Sequence, residues 1–352
     1  MTAPDPRLAL LVQWLQTDLG RPVARIEVAS ADASFRRYFR AFDAAGVSLV
    51  VMDAPPDKED IGPYLKVAAL LESTGVHVPR IHAVDLERGF VLLEDLGSTP
   101  LLARLADPAQ VEPLYGDALA ALARIQVGGR AAARELAPYD AAALERELAL
   151  MPEWFCGRHL QLPLDDADRA LLQATFDRLI AEALAQPQVF VHRDYHSRNL
   201  MVTVQHNPGI IDFQDALAGP IGYDLVSLLK DCYVGWPRAR VEGWVAAYRA
   251  RLRTAGFAAG AGASDGEFLR WFDMIGVQRH IKVLGIFARL WYRDGKSGYL
   301  ADLPLTLQYV REACTHYPEL ADFGRWLERR IVPVFERRNP AVLAAASAAT
   351  PR

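Results

Sequence analysis

Three residues carry the strongest chemical signal in this chain of 352 residues: Asp194, Asn199 five positions later, and Asp212. They stand in the stretch from Val189 to Gln214, VFVHRDYHSRNLMVTVQHNPGIIDFQ. An apolar run, Val189 to Val191, ends in His192-Arg193-Asp194. A second, Leu200 to Val204, leads to Asn207-Pro208-Gly209, and Ile210-Ile211 then delivers Asp212 into Asp212-Phe213-Gln214. The alternation and the Asn-Pro-Gly break predict short strands closed by a tight turn, a hairpin that gathers the three polar residues at one end. Two carboxylates and an amide converging there suit Mg²⁺ and a phosphate chain. Mg²⁺ prefers hard oxygen ligands, usually one or two carboxylates with phosphate and water supplying the rest. A carboxylate beside such a site can also orient a hydroxyl and accept its proton.

The rest of the chain must hold this stretch in place. Hydrophobic residues make up 51% and charged residues 23%, enough for a sizeable core. The net charge of −4, from 39 basic and 43 acidic side chains, gives no reason to expect a polyanionic partner. No basic run with interleaved aromatics argues for nucleic-acid binding. Cys156, Cys232 and Cys314 are far apart without metal-type spacing, so inert thiols in a reducing compartment are expected. The opening MTAPDPRLALLVQWLQTDLG lacks a cationic leader and a small-residue cleavage site, and no apolar run is long enough to span a bilayer. The expectation is a cytoplasmic protein with no membrane partner.

In chain order, Asp5 reads as an N-cap, Pro6 as the first helical residue and Gly20 as the stop, with Leu8, Leu11, Val12, Leu15 and Leu19 on one face. Short strands follow over Arg25–Ala29, Arg37–Phe42, Leu49–Asp53, Ile81–Asp85 and Phe90–Glu94. One helix, roughly Gly62 to Thr74, interrupts them. After Gly97 the apolar spacing turns helical, and residues 258–264 read as a flexible linker. Beyond it a cationic helix, Gln278 to Lys296, puts Arg279, Lys282 and Arg289 on roughly one face. The expected division is 1–96, 97–340 and a disordered tail from 341 to 352.

HRDYHSRN resembles the kinase catalytic loop H-R-D-L-x-x-x-N, and Asp212-Phe213-Gln214 stands where kinases have D-F-G. The nearer likeness is to the aminoglycoside-phosphotransferase/choline-kinase branch, whose loop reads roughly H-x-D-x-x-x-x-N. That resemblance implies an α+β, two-lobed protein-kinase-like fold, with a five-stranded antiparallel sheet carrying one inserted helix and a mostly helical second lobe. It implies ATP and Mg²⁺, with Asp194 aligning the acceptor hydroxyl, His192 bracing the loop, and Asn199 and Asp212 holding the metal. Val91 to Gly97 resembles the hinge, where the backbone of Glu94 and Leu96 would meet the adenine edge. The glycine-free turn from Ser30 to Arg36 stands where the family covers the phosphates, so Ser34, Phe35, Arg36 and Arg37 are the expected contacts. Met52 occupies the place of the usual phosphate-pairing lysine, with Arg37, Arg40 and Lys58 as candidate replacements. Asp224, in G-x-x-x-x-D-L, looks like the carboxylate that ties the next helix to the catalytic loop.

The segment from Asp212 to Pro220 leaves no room for a long activation loop, which favours a small-molecule acceptor over a protein. Within the branch, VVMDAPPDKED, LLEDLG, HRDYHSRNL, IIDFQDA and QRHIKVLGIFARL together resemble the bacterial anomeric sugar kinases. That resemblance implies an amino-sugar substrate, N-acetylmuramate and N-acetylglucosamine, phosphorylated at the anomeric hydroxyl during cell-wall recycling. Arg279, Lys282 or Arg289 would then pair with the muramate carboxylate, with Asp215 nearby. Two other readings stand beside it. An aminoglycoside kinase would want an acidic pocket, for which Asp215, Asp231 and Asp294 are available. A nucleotide-binding pseudokinase scaffold is favoured by Met52 and the glycine-free turn and opposed by the intact Asp194, Asn199 and Asp212.

Overall fold

The computed structural model describes residues 5–31, 35–257 and 262–339. Ser34, residues 258–261 of the expected linker and the expected tail lie outside the described residues.

Five strands, β1 (Arg25–Ala31), β2 (Arg37–Phe42), β3 (Ser48–Asp53), β4 (Ile81–Asp85) and β5 (Phe90–Glu94), form one antiparallel sheet in the order β1-β2-β3-β5-β4. The opening helix α1 (Pro6–Gln13) starts where Asp5 accepts the Arg7 and Leu8 N–H groups, which would otherwise be orphaned. It continues through a wider turn, Trp14–Asp18, and lays Leu11, Trp14 and Leu15 on Phe39, Val51, Phe90 and Leu92. The other face of the sheet takes Met52, Val91 and Leu93 against Tyr64, Val67, Ala68 and Leu71 of α2 (Gly62–Glu72). Strand residues alternate sides, so Met52 and Asp53 point to opposite faces.

That alternation corrects the expectation for Arg37. Asp53 is wholly buried beneath α1, where it accepts Arg7 Nε at 2.8 Å and Arg37 Nε at 3.1 Å. Arg37 is the cross-strand partner of Asp53 and also pairs with Asp5, so its guanidinium is spent on the sheet face turned away from α2. Arg37→Ala is therefore expected to lower stability by about 1–2 kcal/mol while moving the KM for nucleotide less than threefold. Denaturant unfolding beside steady-state kinetics checks this, and a tenfold rise in that KM with unchanged stability would return Arg37 to the phosphates.

The remainder is mostly helical: α3 (Pro108–Gly128), α4 (Arg130–Ala133), α5 (Ala141–Leu148), α6 (Asp166–Ala185), α7 (Gly222–Leu229), α8 (Arg238–Thr254) and α9 (Asp265–Tyr292) precede three shorter C-terminal helices. A capping box of Ser264 and Glu267 starts α9, which is buried around most of its circumference from Phe268 to Ala288. Gly285 lets it touch the backbone of Leu150, since a Cβ there would lie 2.4 Å from the Leu150 carbonyl carbon. Among the described residues no helix is long and apolar enough to cross a membrane.

Two small strand pairs lie outside that sheet. β7 (Leu200–Met201) pairs with β8 (Gly209–Ile210), a shorter hairpin than expected because Val204 is fully exposed. β6 (Gln188–Val191) pairs instead with β9 (Leu217–Pro220). The sequence LAGP hides β9, because Gly and Pro are poor strand formers.

Candidate active site

The loop between β6 and β7 and the loop after β8 are joined by the Asn199 side chain, by the Ile211 N–H donated to the Asn199 carbonyl and by the His192 ring. Asn199 Nδ2 donates to the Asp194 carbonyl and to Asp212 Oδ2, both at 3.1 Å. Both partners are acceptors, so the amide nitrogen is fixed and Asn199 Oδ1 remains the acceptor. Gln214 Nε2 donates to Asp212 Oδ1 at 2.9 Å. A carboxylate, an amide oxygen and no soft ligand make a hard-oxygen set that fits Mg²⁺ held mainly by phosphate and water. Among the described residues no group of three or more His, Cys, Asp or Glu forms a protein-only metal cage. Arg193 and Asp212 adopt φ of +77° and +63°, the left-handed region that non-glycine residues rarely enter, as strained functional loops do.

The loop is tied from beneath. His192 Nδ1 accepts the Asp194 N–H at 3.2 Å, which leaves Nε2 to donate to the Ile211 carbonyl at 3.1 Å. Burial pushes the His192 imidazole down to about 4, so this bridge is neutral. Asp224, at the start of α7, accepts the His192 and Arg193 N–H groups at 2.7 and 3.0 Å. Burial pushes its carboxyl up to about 7 against those bonds. Asp231 accepts the Ser197 N–H at 2.9 Å and the Tyr233 N–H at 3.0 Å.

The Asp194 carboxylate opens into the cleft, its side chain 44% exposed. Desolvation raises its pKa, but Arg279, whose Nη2 lies 3.8 Å from Oδ1, and then His196, Lys282 and Arg193 outweigh that and hold it at about 2. Arg279 also donates to the Arg193 carbonyl and the Tyr223 hydroxyl, both at 3.2 Å. Lys282 Nζ donates to Tyr223 Oη and pairs with Glu147 Oε1, both at 2.9 Å. Glu147, from α5, further binds Arg193 and the Tyr139 hydroxyl. Burial alone would discharge Lys282, but Tyr223 and Glu147 more than offset it, so its pKa is raised.

The cations expected on roughly one face of α9 differ in their surroundings. Arg279 and Lys282 are buried behind the catalytic loop, while Arg289 is half-buried near Arg293, Asp294 and Glu153. Asp215 is exposed beside Gln214. At the hinge, the Glu94 N–H donates to the Arg80 carbonyl and its carboxylate accepts the Arg80 N–H, while Leu96 is buried. Phe35 is exposed, its N–H given to Glu59. Of the three proposed lysine replacements, Arg37 serves Asp53 and Arg40 serves Asp95, while Lys58 faces Asp57 at 3.6 Å. Burial raises the Tyr64 phenol, Tyr38 adds to that, Arg36 opposes it and Asp212 adds to it, so Arg36 and Asp212 both act on Tyr64. Tyr64 itself stacks on Phe213 at 4.9 Å, so α2 grips the Asp212 loop by aromatic packing.

Sequence reasoning passed over Glu147, Tyr139, Tyr223 and Gln214. Glu147 and Tyr139 lie some fifty residues upstream of Asp194 with no local motif to mark them. Gln214 offered the one available signal, its place in the D-F-G-like triplet.

Comparison with known proteins supplies the remaining findings. Residues 25–263 match the family model described as "Phosphotransferase enzyme family". The chain is 47% identical over 334 residues to an N-acetylmuramate/N-acetylglucosamine kinase of Pseudomonas putida, covering 92% of this chain and 96% of that one. A protein of the same name from Pseudomonas aeruginosa is 48% identical over 336 residues, with the same 92% and 96% coverage. Among solved structures, the choline kinase of Streptococcus pneumoniae superposes with a TM-score of 0.60 at 12% identity, covering 87% of this chain and 99% of that one. An ADP-bound aminoglycoside phosphotransferase superposes with a TM-score of 0.56 at 13% identity, covering 88% and 99%. Both show the shared two-lobed fold.

Proposed function

Because the chain belongs to the phosphotransferase enzyme family, we propose that its site transfers the terminal phosphoryl group of ATP to the anomeric hydroxyl of N-acetylmuramate and N-acetylglucosamine. The observation that carries this reading is the Asn199 amide joining the Asp194 loop to the Asp212 carboxylate, the juxtaposition that an acceptor-orienting acid beside a hard-oxygen site would need. Phosphoryl transfer asks a protein mainly for positioning and charge neutralisation. Asp194 accepts a hydrogen bond from the acceptor hydroxyl and takes its proton late, since a carboxyl near 2 is a weak base. The anomeric hydroxyl, acidified by the ring oxygen, is the sugar hydroxyl that asks least of such a base. Arg36 faces the phosphates in place of the missing lysine, and the backbone at Glu94 and Leu96 meets the adenine. Asn199 and Asp212 would hold Mg²⁺, which when bound neutralises phosphate charge.

The other two readings are less well supported. Asp231 is spent on Ser197 and Tyr233, Asp294 on Arg293, and Asp215 stands apart on the surface, so no acidic pocket for a polycationic aminoglycoside assembles from them. A scaffold without transfer would have no need of the braced Asp194 loop or of the Tyr64–Phe213 stack.

Incubation of the protein with ATP and Mg²⁺ and, separately, N-acetylglucosamine, N-acetylmuramate or kanamycin tests the proposal. Phosphorus NMR is expected to show a sugar phosphate coupled to the anomeric proton. Phosphate on a primary hydroxyl, or turnover of kanamycin alone, would overturn it.

A further inference from the structure

N-acetylmuramate differs from N-acetylglucosamine by a lactyl ether that carries a carboxylate, and two of the three cations expected to meet it are bound elsewhere. Lys282 is bound to Glu147, and Arg279 to Tyr223 and the Arg193 carbonyl, while Arg289 stands half-buried near Arg293, Asp294 and Glu153. Resting on the sugar-kinase reading above, we propose that Arg198, four residues after Asp194, is the side chain that reads the carboxylate of the acceptor sugar.

The geometry favours it over its neighbours. The Arg198 guanidinium carbon lies over the Tyr233 ring, 3.5 Å from its centroid, and 5.9 Å from that of Tyr299. Its nearest carboxylate, Asp302, is 3.9 Å away, beyond hydrogen-bond distance. Among the described residues no acceptor takes any of its N–H groups, and its side chain is 43% exposed. A stacked guanidinium is oriented by the ring while its N–H edge stays open for a bidentate carboxylate.

The surroundings suit a sugar. His196 meets Tyr233 edge-on at 5.3 Å and shares the electrostatic field of Asp194, Asp231 and Arg198. Tyr299 packs on Phe287 at 5.3 Å. All of these groups come from the helical lobe, and Tyr233 and Tyr299 line the guanidinium of Arg198, with His196 joining Tyr233 to the neighbourhood of Asp194. Aromatic walls carrying a few placed polar groups are what small-molecule sites use. The one displaceable contact of Arg198 is with Asp302, so a substrate carboxylate replaces a long ion pair rather than breaking a short one.

The test compares kcat/KM for the two sugars in wild type, Arg198→Gln and Arg198→Lys. The ratio of N-acetylmuramate to N-acetylglucosamine is expected to fall roughly 10- to 100-fold in Arg198→Gln, the size of a lost charge-assisted bond, and to recover in part with lysine. In wild type, the methyl ester of N-acetylmuramate should lose the same factor relative to the free acid, which requires no variant to fold. An ester as good as the acid, or equal losses for both sugars in Arg198→Gln, would overturn the role of Arg198 alone. Failure of wild type to phosphorylate either sugar would overturn the sugar-kinase reading and this proposal with it.

Discussion

Replacing Asp194 with alanine is expected to lower kcat about 10²- to 10⁴-fold with nucleotide binding nearly intact. The carboxylate reaches into the cleft, whereas the groups proposed to hold the nucleotide lie at Asn199, Asp212, Arg36 and the hinge. Its backbone carbonyl still accepts Asn199, so the truncation spares the joint between the two loops. Single-turnover phosphoryl transfer beside nucleotide titration checks the split. Wild-type-like turnover in Asp194→Ala would refute the assignment, and loss of nucleotide binding alone would move Asp194 from chemistry to architecture. The pH profile should agree. Asp194 stays ionised down to about 2, so an acid limb in kcat above about pH 4 must come from another group, and it should persist in Asp194→Asn at reduced amplitude.

The second large effect is structural. Glu147→Ala leaves the buried Lys282 and the partly buried Arg193 without their shared counter-charge. Removing one partner of a buried ionic network typically costs about 3–5 kcal/mol. An unfolding free energy lowered by that amount is expected, together with a lower kcat, because Arg193 lies next to Asp194 in the chain. The pH dependence has a definite sign. Burial raises the Glu147 carboxyl, but Lys282 and then Arg193 outweigh it, so its folded pKa lies below the unfolded one. Its contribution is therefore fully present above the unfolded value and lost as pH falls through the folded one. Glu147→Ala should flatten the acid arm of the stability profile below the unfolded glutamate value of about 4.3 relative to wild type. An unchanged midpoint and an unchanged acid arm would show that solvent, not Glu147, compensates the two cations.

Much of the site is local in the chain, and that part was legible. The spacing from His192 to Asn199, the apolar runs on either side and the Asp-Phe-Gln triplet all lie within one short stretch. The sheet strands at Arg37–Phe42, Ile81–Asp85 and Phe90–Glu94 have the bounds that alternation predicts. Asp224 could be assigned to the catalytic loop from its motif, and it caps two of that loop's N–H groups.

What local pattern could not give is which of two sides faces the cleft. Alternation states that Arg36 and Arg37 point apart, but only the covering of one sheet face by α1 and the burial of Asp53 beneath it decide that Arg37 is the structural one. Helical spacing puts Arg279 and Lys282 together, but a cationic face reads as solvated unless one knows that α9 is enclosed on nearly all sides and that Glu147 waits more than a hundred residues upstream. The sequence left Arg198 without a role, because Tyr233, Tyr299 and Asp302 reach it only through the packing of the helical lobe. Periodicity is a property of neighbours along the chain, whereas burial and charge pairing depend on partners that only folding brings within reach.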